Sequence, residues 1–380
     1  MNPSYGGPCQ GIRNSIPEMQ KLGVLNDVVC LDDPNEGFMG IDPFPIHALG
    51  KAKGPWAYSS NLIPWLVENF RNYNVVIIHG VWLFHGYAVM KALKKYEKLK
   101  IGPLPKVYLM PHGMLDPYFQ RAKGRRLKAI RNFLYWNLIE RRVVNEVDAL
   151  LFTCEQEMKL ANVSLTPYNP NKEINVGYGI QKPPQFKESM FLEFKEKCLG
   201  LKSLPYILFL SRVHEKKGVD ILIQSYLNLK EQGLSLPQLV IAGPGLETAY
   251  GKQMQQMAIG ESDILFPGML TGNSKWGAFY GSQAFILPSH QENFGISVVE
   301  ALACRKPVLI TDQVNIWREI ENNNAGLVCT DTIDGIAKML RGWLDLNIDQ
   351  KLLYNDNAER LYENVFTVKN ATSVMIEAIR

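Results

Sequence analysis

Short apolar runs alternate with amphipathic segments along most of the chain, and this alternation constrains the fold more than any other feature. The runs are rich in Val, Ile, Leu and Phe and lack the alternation of apolar and polar residues that is typical of a strand with one solvent-exposed face. They lie at 26–31, 74–80, 106–113, 147–154, 173–179, 206–213, 238–245, 263–268, 284–289, 307–311 and 326–330. Amphipathic segments lie between them, at 62–70, 87–99, 127–144, 219–229, 296–303 and 333–344. Apolar strands separated by helices predict parallel sheets covered by helices on both faces.

A chain of 380 residues exceeds one ordinary core, so two domains are expected. The charged, Pro-rich stretch 181–204, which contains "QKPPQFKES", is the predicted boundary. We therefore predict two doubly wound, Rossmann-like domains, 1–185 and 186–365, that face each other across a cleft. A C-terminal helix at 366–380 is expected to cross back to the first domain. Because ligands bind such sheets at the carboxyl ends of the strands, we expect a ligand cleft between the two domains.

The chain opens on a glycine loop, "SYGGPCQG", with only Met1–Ser4 before it. A doubly wound domain normally has a buried strand there, so either the first strand is missing or this sheet is built differently. Neither this loop nor "IAGPGLETAYG" matches GxGxxG, since Thr248 stands at the third glycine position of the latter, which disfavours a nicotinamide-dependent dehydrogenase. Gly7 still allows the backbone to approach an anion, and a plain turn is the alternative.

Composition excludes several other classes of protein. An apolar content of 46% and a charged content of 21% are typical of a soluble globular protein. The net charge of +4 is too small to indicate a nucleic-acid partner. No apolar run approaches the roughly 18–20 residues of a membrane span, and no secretory signal is seen. The six cysteines form no CxxC pair and are expected to be reduced thiols of a cytosolic protein.

Two cations follow the strand at 206–213. Arg212 and Lys217 precede Gly218 and a predicted helix, in "FLSRVHEKKGVDILI". Arginine supplies a planar fork for phosphate oxygens, lysine supplies a point charge, and the helix start adds N–H groups. A diphosphate is the ligand that this set favours, and a solvated charged turn is the alternative. After the next strand, Gly243 and Gly245 flank a proline in a tight turn.

Two glutamates, Glu292 and Glu300, stand eight positions apart around the predicted start of another helix. Residues 294–296 begin this helix, whose first N–H groups are available to an anion. We expect Glu292 to accept hydrogen bonds from hydroxyl groups, and Glu300, about two turns down the helix, to suit a vicinal diol such as a ribose. The alternative is one exposed acid and one buried acid with an ion-pair partner elsewhere, because a buried unpaired carboxylate is costly.

Taken together, these pieces resemble the retaining glycosyltransferases of family four, which have the GT-B fold. The resemblance rests on Gly6-Gly7, "SR…KKG", "AGPG", "FPGML", "FILPSHQENFGISVVEALACRKPVLITD" and "NNNAGLV". It covers nearly the whole chain and is strongest between residues 206 and 328. The spacing of the two glutamates is its specific part, whereas each of the other pieces alone is a weak signal.

The resemblance implies that residues 1–185 bind the acceptor and residues 186–365 bind the nucleotide-sugar. It also implies a role for each residue of a donor site. Arg212 and Lys217 would hold the donor diphosphate and stabilise the departing nucleotide, Glu292 would hold the transferred sugar, and Glu300 would bind the ribose. The other implied donor contacts are the backbones of Gly7, Asn293, Phe294, Gly295 and Ile296, the backbone of Leu270 at the base, Lys275 over the base face, and Val213 and Gly243 in the pocket lining.

The first domain carries two candidate histidines. His112, in "LMPHGMLDPY", matches the strand-end His-Gly of the family. The resemblance implies that His112 contacts a hydroxyl of the reacting sugar or orients the acceptor, and a structural strand-end histidine is the alternative. His79, in "IIHGVWLFHG", ends the neighbouring strand and is a candidate for the acceptor side.

The sequence contains no DxD-like pair at a strand end and no His/Asp cluster, so we expect neither a metal nor a further cofactor. Arg212, Lys217 and the helix N-termini would then stabilise the charge that develops on the leaving diphosphate. No nucleophilic carboxylate is identifiable. Retention would therefore come from same-face attack through an oxocarbenium-like state, with the leaving phosphate accepting the proton of the acceptor.

Segment 121–142, "RAKGRRLKAIRNFLYWNLIERR", carries eight basic residues and one acid, Glu140, around an aromatic and apolar middle. A basic amphipathic helix of this kind can lie on an anionic membrane, and many relatives act on lipid-linked glycans. We therefore expect peripheral contact with the inner face of the cell membrane by a cytoplasmic protein. The alternative is a core-packing helix with a solvated basic face.

The resemblance favours UDP-glucose as the donor and a glycan or polyprenyl-linked glycan as the acceptor, in polysaccharide biosynthesis. GDP-mannose is the second donor. Two other activities on the same fold are a sugar-nucleotide epimerase and a nucleotide-sugar binding protein without catalysis. A glycan phosphorylase would need a pyridoxal lysine context, which is not seen.

Overall fold

The computed structural model describes residues 1–2, 6–121, 126–202 and 206–380. The chain forms two compact units, Met1–Gly179 with Val368–Arg380, and Ile180–Thr367. These bounds differ by a few residues from the domains that the sequence predicts. The predicted boundary 181–204 is not a linker throughout, because the helix Glu188–Lys197 forms within it. Residues 203 and 204 of that stretch lie outside the described part of the chain.

The helices and strands follow each other through both units in the expected alternation. The strands are β1 (Val28–Cys30), β2 (Ile46–Ala48), β3 (Val75–His79), β4 (Lys106–Met110), β5 (Ala149–Phe152), β6 (Glu173–Asn175), β7 (Tyr206–Leu210), β8 (Leu239–Ala242), β9 (Ile264–Gly268), β10 (Ser282–Leu287), β11 (Val308–Thr311) and β12 (Gly326–Cys329). The helices are α1 (Gly7–Lys21), α2 (Leu62–Asn69), α3 (Phe84–Leu99), α4 (Tyr118–Arg121), α5 (Arg126–Tyr135), α6 (Arg141–Glu146), α7 (Glu155–Ala161), α8 (Glu188–Lys197), α9 (Val219–Glu231), α10 (Ala249–Met257), α11 (Gly272–Gly281), α12 (Ile296–Ala303), α13 (Trp317–Asn322), α14 (Ile333–Asp345), α15 (Ile348–Leu361) and α16 (Val368–Ile379). Two π-helical turns, Trp136–Glu140 and Tyr362–Phe366, join α5 to α6 and follow α15.

The first unit is built on a parallel sheet in which β3, β4, β5 and β6 lie side by side in chain order, and β1 and β2 form a small parallel sheet of their own. Alternate residues of the main sheet belong to different cores, as the two-residue period of a strand requires. Val107 and Leu109 of β4 pack with α2 and α3 on one face. Tyr108 and Met110 pack on the other face with residues of α1 and α16. The sheet is therefore covered on both faces, as the sequence predicts.

The second unit contains a six-stranded parallel sheet in the order β12-β11-β10-β7-β8-β9. Its central strands β7, β8, β10 and β11 are almost entirely buried. This is the doubly wound order in which the chain starts in the middle and builds outward in both directions. The switch point lies between β7 and β10. Loops that leave these two neighbouring strands run to opposite faces of the sheet and open a crevice at its carboxyl edge.

Each of the eleven apolar runs overlaps a strand, so the prediction of an α/β fold with parallel sheets is confirmed, and the second unit has the doubly wound strand order. One strand is missed: β2 has only three residues, with His47 in its middle and Pro45 before it, and so lacks an apolar run. The predicted helix at 127–144 is interrupted by the π-helical turn. Within the described ranges, no helix is long and apolar enough to cross a membrane.

Candidate active site

Two loops meet at the switch point of the second unit, one after β7 and one after β10. Their backbones are so close that a side chain at Gly218 would place its Cβ 2.0 Å from the carbonyl oxygen of Pro288, and Gly218 has a φ of +64°. The N–H of His290 donates to the carbonyl of Lys216 at 2.9 Å, and the Lys216 Nζ donates to Gln291 Oε1 at 2.9 Å. These contacts hold the predicted diphosphate-binding loop against the loop of the first glutamate.

Lys217 and Glu292 form an ion pair across these two loops. Lys217 lies in the short 3₁₀ turn that precedes α9, and its side chain is buried. Burial, with repulsion by Arg212 and Lys216, lowers the pKa of the Lys217 ammonium to about 7. The Glu292 carboxylate opposes this change, because an adjacent opposite charge favours the protonated amine. Two residues that the sequence assigns to phosphate and to sugar are thus in direct contact.

Arg212 stands two residues beyond β7 and is exposed. Its guanidinium forms no hydrogen bond or ion pair with the residues that the structure describes, and its charge depresses the pKa values of both His214 and Lys217. An arginine without a partner beside a buried lysine produces a local excess of positive charge. Such a position suits an anionic ligand.

The loop after β8 lies directly against the loop after β7. A Cβ at Gly243, whose φ is +146°, would fall 1.8 Å from the carbonyl oxygen of Ser211. The N–H of Val213 donates to the carbonyl of Pro244 at 2.8 Å. Only glycine fits at position 243, because any side chain would collide with the strand-end backbone. Val213 and Gly243 are both buried here, which places them next to the cation loop.

The loop of Glu292 is held in place by the loop that follows β11. The N–H of Glu292 donates to the carbonyl of Gln313, and the N–H of Asn315 donates to the carbonyl of Glu292, both at 3.0 Å. Two residues further on, Phe294 packs edge-on against Phe366, with ring centroids 5.6 Å apart. Glu292 is therefore fixed through its backbone, and its side chain remains directed at Lys217.

Helix α12 begins at Ile296 after Gly295, which has a φ of +77°. The first N–H groups of an α-helix have no partner within the helix, so this start can serve an anion as the sequence predicts. Glu300 stands four residues after Ile296, which is about one turn. The prediction that Glu300 lies about two turns down the helix is wrong, because the helix starts at Ile296, at the end of the predicted start 294–296.

Glu300 has a partner that the sequence does not reveal. The Lys275 Nζ in α11 donates to Glu300 Oε1 at 2.6 Å and lies 4.4 Å from the ring centroid of Trp276. Burial raises the pKa of Glu300, and Lys275 opposes that rise. Lys275, expected over the face of the base, is instead tied to the predicted ribose-binding carboxylate. Leu270 is buried in the loop between β9 and α11.

In the first unit, His79 and His112 lie together at the carboxyl ends of β3 and β4. The His79 Nδ1 is 2.9 Å from the His112 Nε2, and the two rings meet edge to edge, with centroids 5.2 Å apart and planes inclined by 21°. Burial lowers the pKa of His79 to about 4 and that of His112 well below its ordinary value. Both imidazoles are therefore neutral at physiological pH.

Gly7, the remaining first-unit candidate, is the first residue of α1. Its carbonyl accepts a hydrogen bond from the Tyr178 hydroxyl at 2.5 Å.

A buried acid, Glu157, supports the His112 turn and is absent from the sequence predictions. Its Oε1 accepts from the N–H of Gly113 at 2.5 Å, and its Oε2 accepts from the N–H of Thr153 at 2.8 Å. His112 has a φ of +53°, an uncommon conformation for a residue with a side chain. The carboxylate thus holds a strained turn. Glu157 lies outside the helical segments that the sequence predicts and belongs to no motif, so the sequence gives no signal from which this role can be read.

A small cavity of about 40 Å³ adjoins the histidine pair. Its walls come from α1, the ends of β3, β4 and β6, and α16, and include His79, His112, Tyr178 and Thr372. Among the described residues the buried Thr372 hydroxyl has no hydrogen-bond partner. No group of three or more His, Cys, Asp or Glu side chains suited to a metal occurs within the described part of the chain.

Residues 193–364 match the family model described as "Glycosyl transferases group 1". The capsular polysaccharide biosynthesis glycosyltransferase CapM of Staphylococcus aureus is 26% identical over 221 residues, 54% of this chain and 55% of that protein. The O-antigen chain mannosyltransferase C of Escherichia coli is 21% identical over 292 residues, 73% of this chain and 75% of that protein. The chain thus spans about half the length of the first of these relatives.

The fold is also that of a solved structure, Anabaena HepE in complex with UDP and glucose. The TM-score is 0.71 with 15% sequence identity, over 98% of this chain and 96% of HepE. At this identity the likeness shows the fold, with its α/β units, and not the ligand.

Proposed function

We propose that this chain, which belongs to the family-four glycosyltransferases and has the GT-B fold, transfers a hexose from a nucleotide-sugar to a glycan or lipid-linked glycan acceptor. The observation that carries the proposal is the set of charges at the switch point of the second unit. Arg212 and Lys217 stand there beside Glu292, on loops whose backbones are in contact.

The donor diphosphate is proposed to bind at Arg212 and Lys217. Arg212 is exposed and forms no ion pair within the described residues, so it can form two parallel hydrogen bonds to phosphate oxygens without first breaking a contact. Lys217 is paired with Glu292, and a doubly negative diphosphate would compete with that carboxylate for the ammonium. The N–H groups at Phe294–Ile296 would add donors at the same edge of the sheet.

The two glutamates are proposed to hold different parts of the donor. Glu292 would accept hydrogen bonds from hydroxyls of the transferred sugar, beside the lysine that holds the phosphate. Glu300 would bind the ribose, with the Lys275 ammonium keeping it ionised despite its burial. The base would lie near the backbone of Leu270. In the first unit, His112 would contact a sugar hydroxyl or orient the acceptor.

The proposed chemistry is retention of configuration without a metal. As the bond from the anomeric carbon to the phosphate oxygen breaks, negative charge grows on the diphosphate and is stabilised by Arg212 and Lys217. The acceptor hydroxyl attacks the same face of the oxocarbenium-like sugar. Its proton passes to the departing phosphate oxygen, so that atoms and charge balance without a nucleophilic carboxylate.

We propose UDP-glucose as the donor, with support from the HepE structure, which is a complex with UDP and glucose. GDP-mannose is the second candidate, since one relative bears the name of a mannosyltransferase. Epimerisation of the donor, or donor binding without catalysis, are the alternatives on this fold. The capsule and O-antigen names of the relatives support a polysaccharide acceptor.

A thermal-shift screen followed by a turnover assay tests the function. UDP-glucose is expected to raise the melting temperature more than GDP-mannose does, because a ligand that binds only the folded state stabilises it. Labelled UDP-glucose should then lose its glucose to a glycan acceptor or to water, at the same rate with and without EDTA.

Three outcomes would contradict parts of the proposal. Stabilisation by no nucleotide-sugar would refute the donor site. Conversion of UDP-glucose to another UDP-sugar without transfer would show an epimerase. Loss of turnover in EDTA, with recovery on adding a divalent cation, would refute the metal-independent mechanism.

The segment 121–142 presents an apolar face to solvent in the first unit, which supports the proposed membrane contact. Residues 122–125 of this segment lie outside the described chain. The exposed apolar side chains of this surface, here called the α5 surface, follow the helical spacing i, i+3, i+7 and i+11: they are Leu127, Ile130, Leu134 and Leu138. Leu127 is 84% exposed and Leu138 is 70% exposed. Such a row does not pack on this chain and is available to another surface.

The exposed charges in the described part of segment 121–142 are of one sign. Lys128, Arg131 and Arg142 are exposed beside the apolar row. Glu140, the single acid of the segment, is buried, and its burial raises its pKa to about 8, so it adds no negative charge at neutral pH. An apolar row flanked by cations alone is complementary to an anionic lipid surface.

Vesicle flotation tests this contact. The chain is expected to float with vesicles that contain phosphatidylglycerol, to float much less with pure phosphatidylcholine, and to be released at 1 M salt, where the Debye length falls to about 3 Å. Leu127→Ser combined with Leu138→Ser should reduce flotation, whereas Leu199→Ser, at an exposed leucine of the second unit, should not. Equal flotation with both lipids at both salt concentrations would rule out the proposed anionic contact.

A further inference from the structure

We propose that His79 is a positioning residue that decides which proton His112 offers to its ligand. The inference rests on the role proposed for His112, and it assigns to His79 a function other than lining the acceptor side. It is carried by the 2.9 Å contact between the His79 Nδ1 and the His112 Nε2, with the two rings edge to edge and their planes inclined by only 21°.

A hydrogen bond between two neutral imidazoles needs one protonated nitrogen and one bare nitrogen. If His79 donates, the His112 Nε2 is bare and its Nδ1 carries the proton. If His112 donates, its Nδ1 is bare and accepts. In both arrangements the Nε2 of His112 is occupied by His79, so only Nδ1 remains for a sugar hydroxyl. The tautomer of His79 therefore determines whether the Nδ1 of His112 donates or accepts.

The surroundings keep both rings neutral, which this pairing requires. Burial lowers the pKa of each ring, and each lies next to another imidazole whose charge would repel a second one. The titratable groups around the pair are His85 on α3 and Tyr178 after β6. The His85 Nε2 donates to the carbonyl of Gly80 at 3.1 Å, and the Tyr178 hydroxyl donates to the carbonyl of Gly7, so both are engaged with backbone.

The backbone on either side of the pair is already held by other contacts. The N–H of Gly80 donates to the carbonyl of Met110 at 2.8 Å, which locks the ends of β3 and β4 together. Glu157 holds the N–H of Gly113 on the far side of His112. These contacts fix the backbone but not the orientation or the tautomer of the His112 ring. His79 can fix both, because its side chain contacts the His112 Nε2.

The test compares His79→Phe and His79→Gln in the full chain. Phenylalanine keeps an aromatic ring of similar size but removes the hydrogen bond, whereas glutamine offers an amide that can either donate or accept. The control is His85→Gln, at the adjacent histidine, which bonds only to backbone carbonyls. The first readout is the pair of ring ¹⁵N shifts of His112 in ¹⁵N-histidine-labelled protein, which needs no substrate and distinguishes the two tautomers.

We expect a single neutral His112 tautomer in the unmodified chain and in His85→Gln between pH 6 and pH 8. His79→Phe should give averaged shifts from both tautomers, and His79→Gln should restore one. In turnover of UDP-glucose, His79→Phe should lower kcat at least about tenfold while leaving the donor KM nearly unchanged. The glutamine variant should recover most of that loss.

A single, unchanged His112 tautomer in His79→Phe would overturn the inference, as would an equal loss of kcat in His85→Gln. Failure of every nucleotide-sugar to stabilise the unmodified chain would instead refute the proposed function. The ¹⁵N shifts separate these two failures, because they report the pairing whether or not turnover is observed.

Discussion

Replacing Arg212 by alanine is expected to lower turnover of the donor by about 10²–10³-fold, the usual cost of removing one fixed group that stabilises transition-state charge. Arg212 is exposed and forms no ion pair within the described residues, so the free energy of unfolding should change by no more than about 0.5 kcal/mol. Lys217→Ala is expected to lower turnover to a similar degree. It also leaves Glu292 without its partner, so some stability should be lost while the chain still folds.

The measurements are kcat with UDP-glucose, circular dichroism and urea unfolding. A suitable control is Arg305→Ala, an exposed arginine after the last turn of α12 whose partners, Asp356 and Glu359, lie on α15. Its turnover should match that of the unmodified chain, because removing an exposed ion pair costs little. Near-normal kcat in both Arg212→Ala and Lys217→Ala would disprove the assignment of the diphosphate site.

Glu292→Ala and Glu300→Ala are expected to fail in different ways, although the two residues stand on the same loop and helix. Loss of Glu292 removes an acceptor for the transferred sugar and the countercharge of Lys217, whose pKa is already about 7. Lys217 would then lose its proton more readily, so kcat should fall by about 10²-fold or more. Loss of Glu300 should mainly weaken donor binding, because its partner Lys275 is not among the residues proposed at the phosphate.

The distinction is measured as kcat and donor KM for each variant, with the donor-induced thermal shift as a binding readout. Glu292→Gln and Glu300→Gln are the matched variants, because they keep the shape of the side chain and remove only its charge. Glu292→Gln should lose turnover almost as strongly as the alanine variant, since Lys217 again lacks a countercharge. A reversed pattern, with Glu300→Ala losing kcat and Glu292→Ala losing only affinity, would contradict the roles proposed here.

Much of the fold follows from local properties of the sequence. Strands of a sheet that is covered on both faces are mainly apolar, and each of the eleven apolar runs overlaps a strand. The loops after β7 and β8 are also marked locally, by glycines. Gly218 and Gly243 lie where a backbone carbonyl leaves no room for a Cβ. Strand β2 was not predicted, because a three-residue strand with His47 in its middle forms no apolar run.

In the candidate site, the sequence indicates which residues take part but not which of them are in contact. The sequence identifies Arg212, Lys217, Glu292 and Glu300 by residue type and by position next to strand ends. It does not reveal that Lys217 pairs with Glu292, 75 positions away, or that Glu300 has Lys275 as its partner. These pairs depend on strand order, because β7 and β10 are neighbours in the sheet although two strands separate them in the chain.

In the first unit, too, contacts between distant segments could not be read from the sequence. The sequence alone determined that an apolar strand ends near His79 and that another ends near His112, because local hydrophobicity encodes where strands stop. Only the tertiary structure decided that the two rings are hydrogen-bonded to each other and that Glu157 supports the turn beside them. Burial and hydrogen bonds between distant segments are set by how the whole chain packs, and they determine which protonation state each of these side chains adopts.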